Sequence, residues 1–158
     1  EGNARRLGEK LRGVTFARVF CSPLVRARRT CELAGFDHAA EVDRDLVEWN
    51  YGNYEGLTTA VIRQQRPNWD IFRDGCPGGE TAAEVAARAD RVVAKVRGVE
   101  GNTLIFSSSH LLRVLAARWL GREAELGRHF LVGTAALGIL GYGHCVADPV
   151  IRLWNRCP

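Results

Sequence analysis

The sequence predicts an α/β fold with a largely parallel sheet, and three observations predict it. Short runs of β-forming residues alternate along the chain with segments whose apolar residues recur at helical spacing. Two of those runs, FARVFCS at 16–22 and TLIF at 103–106, pass through serine directly into a helical segment. No internal repeat, linker or low-complexity tract breaks the 158 residues, so a single domain over 1–158 with a substantial core is expected.

Taken in order, ARRLGEKLR (4–12) reads as the later part of a helix closed near Gly13. FARVFCS follows as a strand. Ser22-Pro23 then reads as a helix start, with serine as N-cap and proline at the first helical position. That helix runs to Ala34 and stops at Gly35. Residues 40–57 hold a brief strand and then a loop rich in aromatics and glycine. Thr58 to Arg66 is a short helix halted by Pro67. Residues 68–80 read as loop, with Cys76-Pro77-Gly78-Gly79 its sharpest turn. From Thr81 to Arg97, the apolar positions Val85, Ala89, Val92, Val93 and Val96 mark one face of a helix. Strand Thr103–Phe106 leads through three serines into a helix over 110–120, closed by Gly121. A short helix at 123–130 and strands at 134–144 and 149–155 complete the chain, the last at an edge.

Composition narrows the function classes. With 46% apolar and 25% charged residues the chain is an ordinary globular protein. No apolar run approaches the roughly 20 residues of a membrane span, and no secretion-signal pattern opens the chain, so no membrane partner is expected. The cysteines at 21, 31, 76, 145 and 157 are odd in number and form no CxxC pair. That argues against a disulfide scaffold or a zinc ribbon and suits a reducing, cytoplasmic compartment. The net charge of +4 is carried almost wholly by arginine and spread along the chain. No aromatic-interleaved basic stripe or zinc-finger spacing appears, so no nucleic-acid partner is expected. Small phosphorylated ligands fit the mild basic balance as well, and arginine's planar fork suits phosphate better than lysine's point charge. Nothing in the sequence specifies an oligomeric state.

The candidate residues lie at strand-to-helix junctions, where helix N-termini present free N–H groups to ligands. Arg26 sits in the first turn after one strand and His110 in the first turn after another. If the two strands are neighbours, both converge on one anion-sized spot. Arg26, Arg28 and Arg29 crowd the N-terminal half of a helix, where the macrodipole disfavours cations and a bound phosphate would offset that cost. Arg28 and Arg29 read more simply as a solvated face. For His110 two readings stand side by side. It is a proton carrier or nucleophile, or it is a helix residue packed on the sheet behind a serine N-cap. LVEWNYGNYEG (46–56) brings the carboxylates Glu48 and Glu55 among Trp49, Tyr51 and Tyr54. Aromatic desolvation favours the protonated carboxyl that a general acid needs, whereas a plain core would leave both glutamates facing water.

In order along the chain, these pieces resemble one family. CSPLVRARRT is similar to the SPxxRAxxT signature of the histidine phosphatase (phosphoglycerate mutase-like) superfamily, and LVEWNYGNYEG to its L-x-E-x-x-YGxxEG segment. GCPGGETAAEVAARADRVV resembles its GGES/T helix start with a downstream arginine, here Arg88. SSSHLLRVLAARWLG resembles its S-H-x-x-x-R strand-to-helix block. The set Trp69, Arg73, Asp74, Gly75, Cys76, Gly79 and Glu80 is most similar to the sugar-bisphosphatase and broad-specificity phosphatase branch.

The resemblance implies a three-layer α/β/α fold and hydrolysis of small phosphomonoesters, sugar phosphates foremost, through a phosphohistidine without metal or other cofactor. By motif, Arg26 is implied as a phosphate clamp, His110 as the second histidine and Glu48 as the leaving-group acid. Tyr51 is implied on the substrate side. Leu111, where the family carries glycine, offers its N–H. The family's nucleophile belongs to an R-H-G segment after a first strand, and no RHG occurs in this chain. His38, His129 and His144 lack the strand–His–Gly setting. The expectation is an N-terminally truncated version of the fold. Its nucleophile would lie upstream, and a central strand's absence would leave unpaired backbone groups. The alternatives are an inactive pseudo-phosphatase that binds phosphorylated ligands or a protein, and a phosphoglycerate mutase.

Overall fold

The structure is a computed structural model describing residues 1–158. Strands β1 (Arg18–Cys21), β2 (Ala40–Val42) and β3 (Thr103–Phe106) form a parallel sheet in the order β2-β1-β3. Helices α1 (Gly2–Leu11) and α2 (Val25–Leu33) cover one face. Helices α5 (Ala82–Arg97) and α6 (Ser109–Trp119) cover the other, with the short α3 (Thr59–Gln65) and α4 (Ile71–Asp74) beside them. Strands β4 (Leu137–Tyr142) and β5 (Pro149–Arg156) pair antiparallel in a separate sheet.

The two cores follow from the two-residue period of the strands. Val19 and Cys21 of β1 and Leu104 and Phe106 of β3 point into the smaller core with Leu7, Leu11, Ala27 and Cys31. Phe20 points the other way, into the larger core of Val85, Val92, Leu111, Val114 and Trp119, against which Ile105 also packs. The expected α/β/α layering is therefore present. The single sheet is not, because β3 pairs only with β1 and the hairpin stands apart.

Three local expectations change. Helix α2 begins at Val25 with Leu24 as its N-cap, two residues later than Ser22-Pro23 suggests. The Ser22 N–H is engaged by the Phe106 carbonyl, which keeps the backbone extended, and the Ser22 hydroxyl accepts from the Leu24 N–H instead. Within 68–80 the chain makes the helical turn α4, because the Asp70 carboxylate accepts from the Phe72 N–H and nucleates it. The segment Ala124–His129 is a 3₁₀ turn, and the strand expected over 134–144 is trimmed to β4.

Two glycines fix the loops that carry the site. A Cβ on Gly79 would lie 2.2 Å from the Asn50 carbonyl, and one on Gly52 would lie 2.3 Å from the Gly79 nitrogen. Gly52 also sits at φ +51°, so only glycine lets the 50–52 and 77–80 loops touch.

Candidate active site

Parallel pairing of β1 with β3 puts their C-terminal ends side by side, so the two strand-to-helix junctions share one corner of the sheet. Arg26, on the first turn of α2, crosses to the other junction. Its Nε donates to the hydroxyl of Ser108 at 2.9 Å, and its guanidinium lies 4.0 Å from Glu48. The Arg26 side chain is 63% exposed, so most of its donors face solvent above the junction. Arg28 and Arg29 point outwards, and Arg29 pairs with Glu1 and Glu32, as a solvated face requires.

Glu48 is the centre of the arrangement. It reaches the N-terminus of α6, where its carboxylate accepts from the N–H groups of Leu111 at 3.0 Å and His110 at 3.3 Å, and from its own neighbour Trp49 at 3.0 Å. This overturns the expected serine cap. Ser108 is the N-cap residue, but its hydroxyl makes no capping bond and is engaged by Arg26. The carboxylate takes over, and the positive end of the helix dipole favours it there.

The setting of Glu48 also differs from the aromatic pocket the sequence suggests. Trp49 is buried in the core, edge-on to Phe72, and Tyr54 is edge-on to Trp69. Glu55 is exposed and accepts the Tyr51 N–H. Leu111 is not a free donor, since Glu48 holds its N–H, and its side chain is wholly buried in the larger core.

His110 is brought to the same carboxylate, with Nδ1 4.0 Å from Glu48 Oε2. Arg26 and His110 thus converge on Glu48 rather than on each other. The ring of His110 stands between Tyr51, edge-on at 5.7 Å, and Phe72 at 5.4 Å. The Tyr51 hydroxyl is 2.7 Å from Nδ1. Burial pushes the imidazole below its ordinary value and Arg113 acts in the same sense, while Glu48 and Asp70 oppose. The Arg113 guanidinium lies 4.5 Å over the Phe72 ring and donates to the Gly127 and Arg128 carbonyls. His38, His129 and His144 are exposed on turns.

Sequence reasoning missed two parts of the site. Ser108, the last residue before α6 and 7% exposed, is the side chain that meets Arg26. No local signal singles it out from its neighbours Ser107 and Ser109. The second is a clamp behind Glu48. Arg88 binds Glu80 through two nitrogens, at 2.7 and 2.8 Å, and donates to the carbonyls of Asp45 and Val47. Glu80 in turn accepts the Asn50 N–H. The segment on both sides of Glu48 is therefore tied to α5. Chemically, the corner brings together a guanidinium, a hydroxyl, a carboxyl group and an imidazole, a set of groups that suits an anion with a leaving group to protonate. No cluster of histidine, cysteine and acidic side chains has metal-site geometry.

The chain as a whole is similar to known proteins. The family model for the histidine phosphatase superfamily (branch 1) matches residues 1–156. An acid phosphatase of Mycobacterium tuberculosis is 41% identical over 130 residues, covering 81% of this chain and 64% of its own length, so the chain spans less than two thirds of that relative. Sedoheptulose 1,7-bisphosphatase of Saccharomyces cerevisiae is 33% identical over 193 residues, covering 85% and 71%. Among solved structures, that of the open reading frame Rv3214 from Mycobacterium tuberculosis superposes with a TM-score of 0.93 at 34% identity, over 99% of this chain and 81% of that one. The parallel sheet and these matches lead to one conclusion: the chain belongs to the histidine phosphatase superfamily, branch 1.

Proposed function

We propose that this chain forms the body of a phosphatase that hydrolyses small phosphomonoesters, sugar phosphates among them, through a phosphohistidine. The observation that carries the reading is the meeting of Arg26 and His110 at one carboxylate, Glu48, each 4.0 Å from it. In this reading Arg26 neutralises the phosphoryl oxygens and His110 donates to them. Glu48 is the candidate acid for the leaving oxygen, and Tyr51 lines the leaving-group side. The name of the yeast relative specifies a sugar bisphosphate, and that of an Escherichia coli relative, 30% identical over 139 residues, specifies adenosylcobalamin/alpha-ribazole phosphatase. Both names support small phosphate monoesters as the substrate class in this reading.

The nucleophilic histidine, in this proposal, comes from a strand upstream of Glu1 laid along β3. Three features support that place. The outer edge of β3 has no strand partner. Thr103, at its start, has a buried hydroxyl with no hydrogen-bond partner. A groove of about 380 Å³ is lined by Asn102, just before β3, and by Ile139, Leu140 and Tyr142 of β4. An added strand would satisfy the edge and bring its C-terminal end to the Arg26–Glu48 corner.

A second reading, binding without turnover, is favoured by one observation: the side chain against Arg26 is a serine. The test is turnover of sugar phosphates and nitrophenyl phosphate by the chain carrying its natural upstream residues, with the phosphoenzyme trapped. A phosphoenzyme stable to base and labile to acid is expected, and activity should survive chelators. Glu48→Gln should slow sugar phosphates much more than nitrophenyl phosphate, whose leaving group needs no proton. Equal losses would remove the acid role. Phosphate binding without turnover would establish the second reading, and dependence on a bisphosphorylated primer would make the protein a mutase.

A further inference from the structure

The hydrogen bond between Tyr51 and His110 constrains which ring nitrogen carries the proton. Burial, and the charge of Glu48 after it, push the Tyr51 phenol well above its ordinary value, so it keeps its proton at neutral pH. A protonated phenol has one hydrogen to donate, and Nδ1 at 2.7 Å is its only hydrogen-bond partner. Nδ1 can accept that hydrogen only if it carries none itself, which puts the imidazole proton on Nε2. An imidazolium would turn both ring nitrogens into donors and leave the phenol hydrogen in a half-buried position with no acceptor.

The groups facing the ring from each packed element give the charge balance. From α6, Arg113 disfavours an imidazolium. From the loop before α3, Glu48 favours one, but its oxygens already accept three N–H groups and lie beside Arg26. From the junction before α4, Asp70 also favours one, yet it is paired with Arg128 at 3.3 Å and caps the Phe72 N–H. Phe72 contributes an apolar face. Nε2 makes no hydrogen bond within the protein, and the side chain is 26% exposed, so this nitrogen is the ring atom left for a ligand.

We propose that Tyr51 is a positioning residue that holds His110 as the neutral Nε2–H tautomer, so that the site presents His110 as a hydrogen-bond donor and leaves the positive charge to Arg26. The inference rests on the site reading above only in calling the ligand an anion. The tautomer stands or falls without turnover, so an inactive protein would not affect it.

The experiment is long-range ¹H–¹⁵N correlation of the histidine rings in the full chain, with His110 assigned by loss of its signals in His110→Gln. At neutral pH the expected pattern has a pyridine-type Nδ1 and a pyrrole-type Nε2. In Tyr51→Phe, the neutral ring loses the hydrogen bond that favours it. The two tautomers should mix, and the titration midpoint of His110 should move up. A pyrrole-type Nδ1 or an imidazolium in the parent chain at neutral pH overturns the proposal. So does a folded Tyr51→Phe whose His110 signals and midpoint are unchanged. If Tyr51→Phe does not fold, the spectrum of the parent chain alone decides.

Discussion

The two strand-to-helix junctions have the same sequence plan, a strand ending in serine and a basic or imidazole side chain in the first helical turn, yet the protein completes them differently. After β1, the helix start is pushed two residues downstream, and Arg26 lies over the surface, tied only to Ser108 and held near Glu48. After β3, the helix start is closed by Glu48, a residue more than sixty positions earlier, and that residue is itself fixed through Arg88 and Glu80 to α5. The first junction presents chemistry on an exposed side chain. The second joins its chemistry to the integrity of the fold. Substitutions at the two should therefore separate activity from stability.

The largest effect belongs to the first junction and appears only in activity. In a catalytically complete form, Arg26→Ala should cut kcat/KM by about 100-fold or more, the scale of losing one strong donor to a charged transition state. Its melting temperature should barely move, because the removed side chain is mostly solvated. A matching loss of stability would mean that Arg26 is a structural tie, and the contrast would fail.

Arg88→Ala should do the reverse. It leaves Glu80 without its partner in a mostly buried position and frees the carbonyls of Asp45 and Val47, at a cost of about 3 kcal/mol. Denaturant midpoints at constant slope measure this. Glu48→Ala comes next, at about 1–2 kcal/mol, because three N–H groups lose their acceptor. Glu48→Gln, which keeps one acceptor oxygen, should recover most of that stability while losing the acid. If Glu48→Ala is as stable as the parent, the cap is replaced by water or Ser108 and the second junction is no more integrated than the first.

The contrast also explains what could be read from the sequence. Helix faces and strands were legible because the patterns that mark them are local: Val85, Ala89 and Val92 do form the buried face of α5, and a strand does form within FARVFCS. The place of Arg26 in the first turn after β1 was legible because it lies within one continuous stretch. The completion of the second junction was not, since it depends on contacts across tens of residues. No local rule tells a serine N-cap from a distant glutamate competing for the same N–H groups. Nor could the hydropathy pattern show that β4 and β5 would stand apart from β3, because strand pairing is set by the neighbours present.

The smallest effect is a slope. His110 is buried enough that its imidazole resists protonation in the folded chain, whereas in the unfolded chain it takes a proton near pH 6.5. Below that value the unfolded state binds more protons than the folded one, so stability must fall with acidification until the folded ring titrates as well. The contribution is complete above about pH 6.5. The carboxyl groups held low by arginine, Asp45 by Arg91 and Asp74 by Arg73, lose stability only at much lower pH, so the window belongs to the histidine. The unfolding midpoint should therefore decline between about pH 7 and 5.5, and His110→Gln should flatten that decline. A decline that persists in His110→Gln would place the titrating group elsewhere. A midpoint that rises on acidification would mean that Glu48 outweighs burial, making the ring a cation that the second junction holds in place.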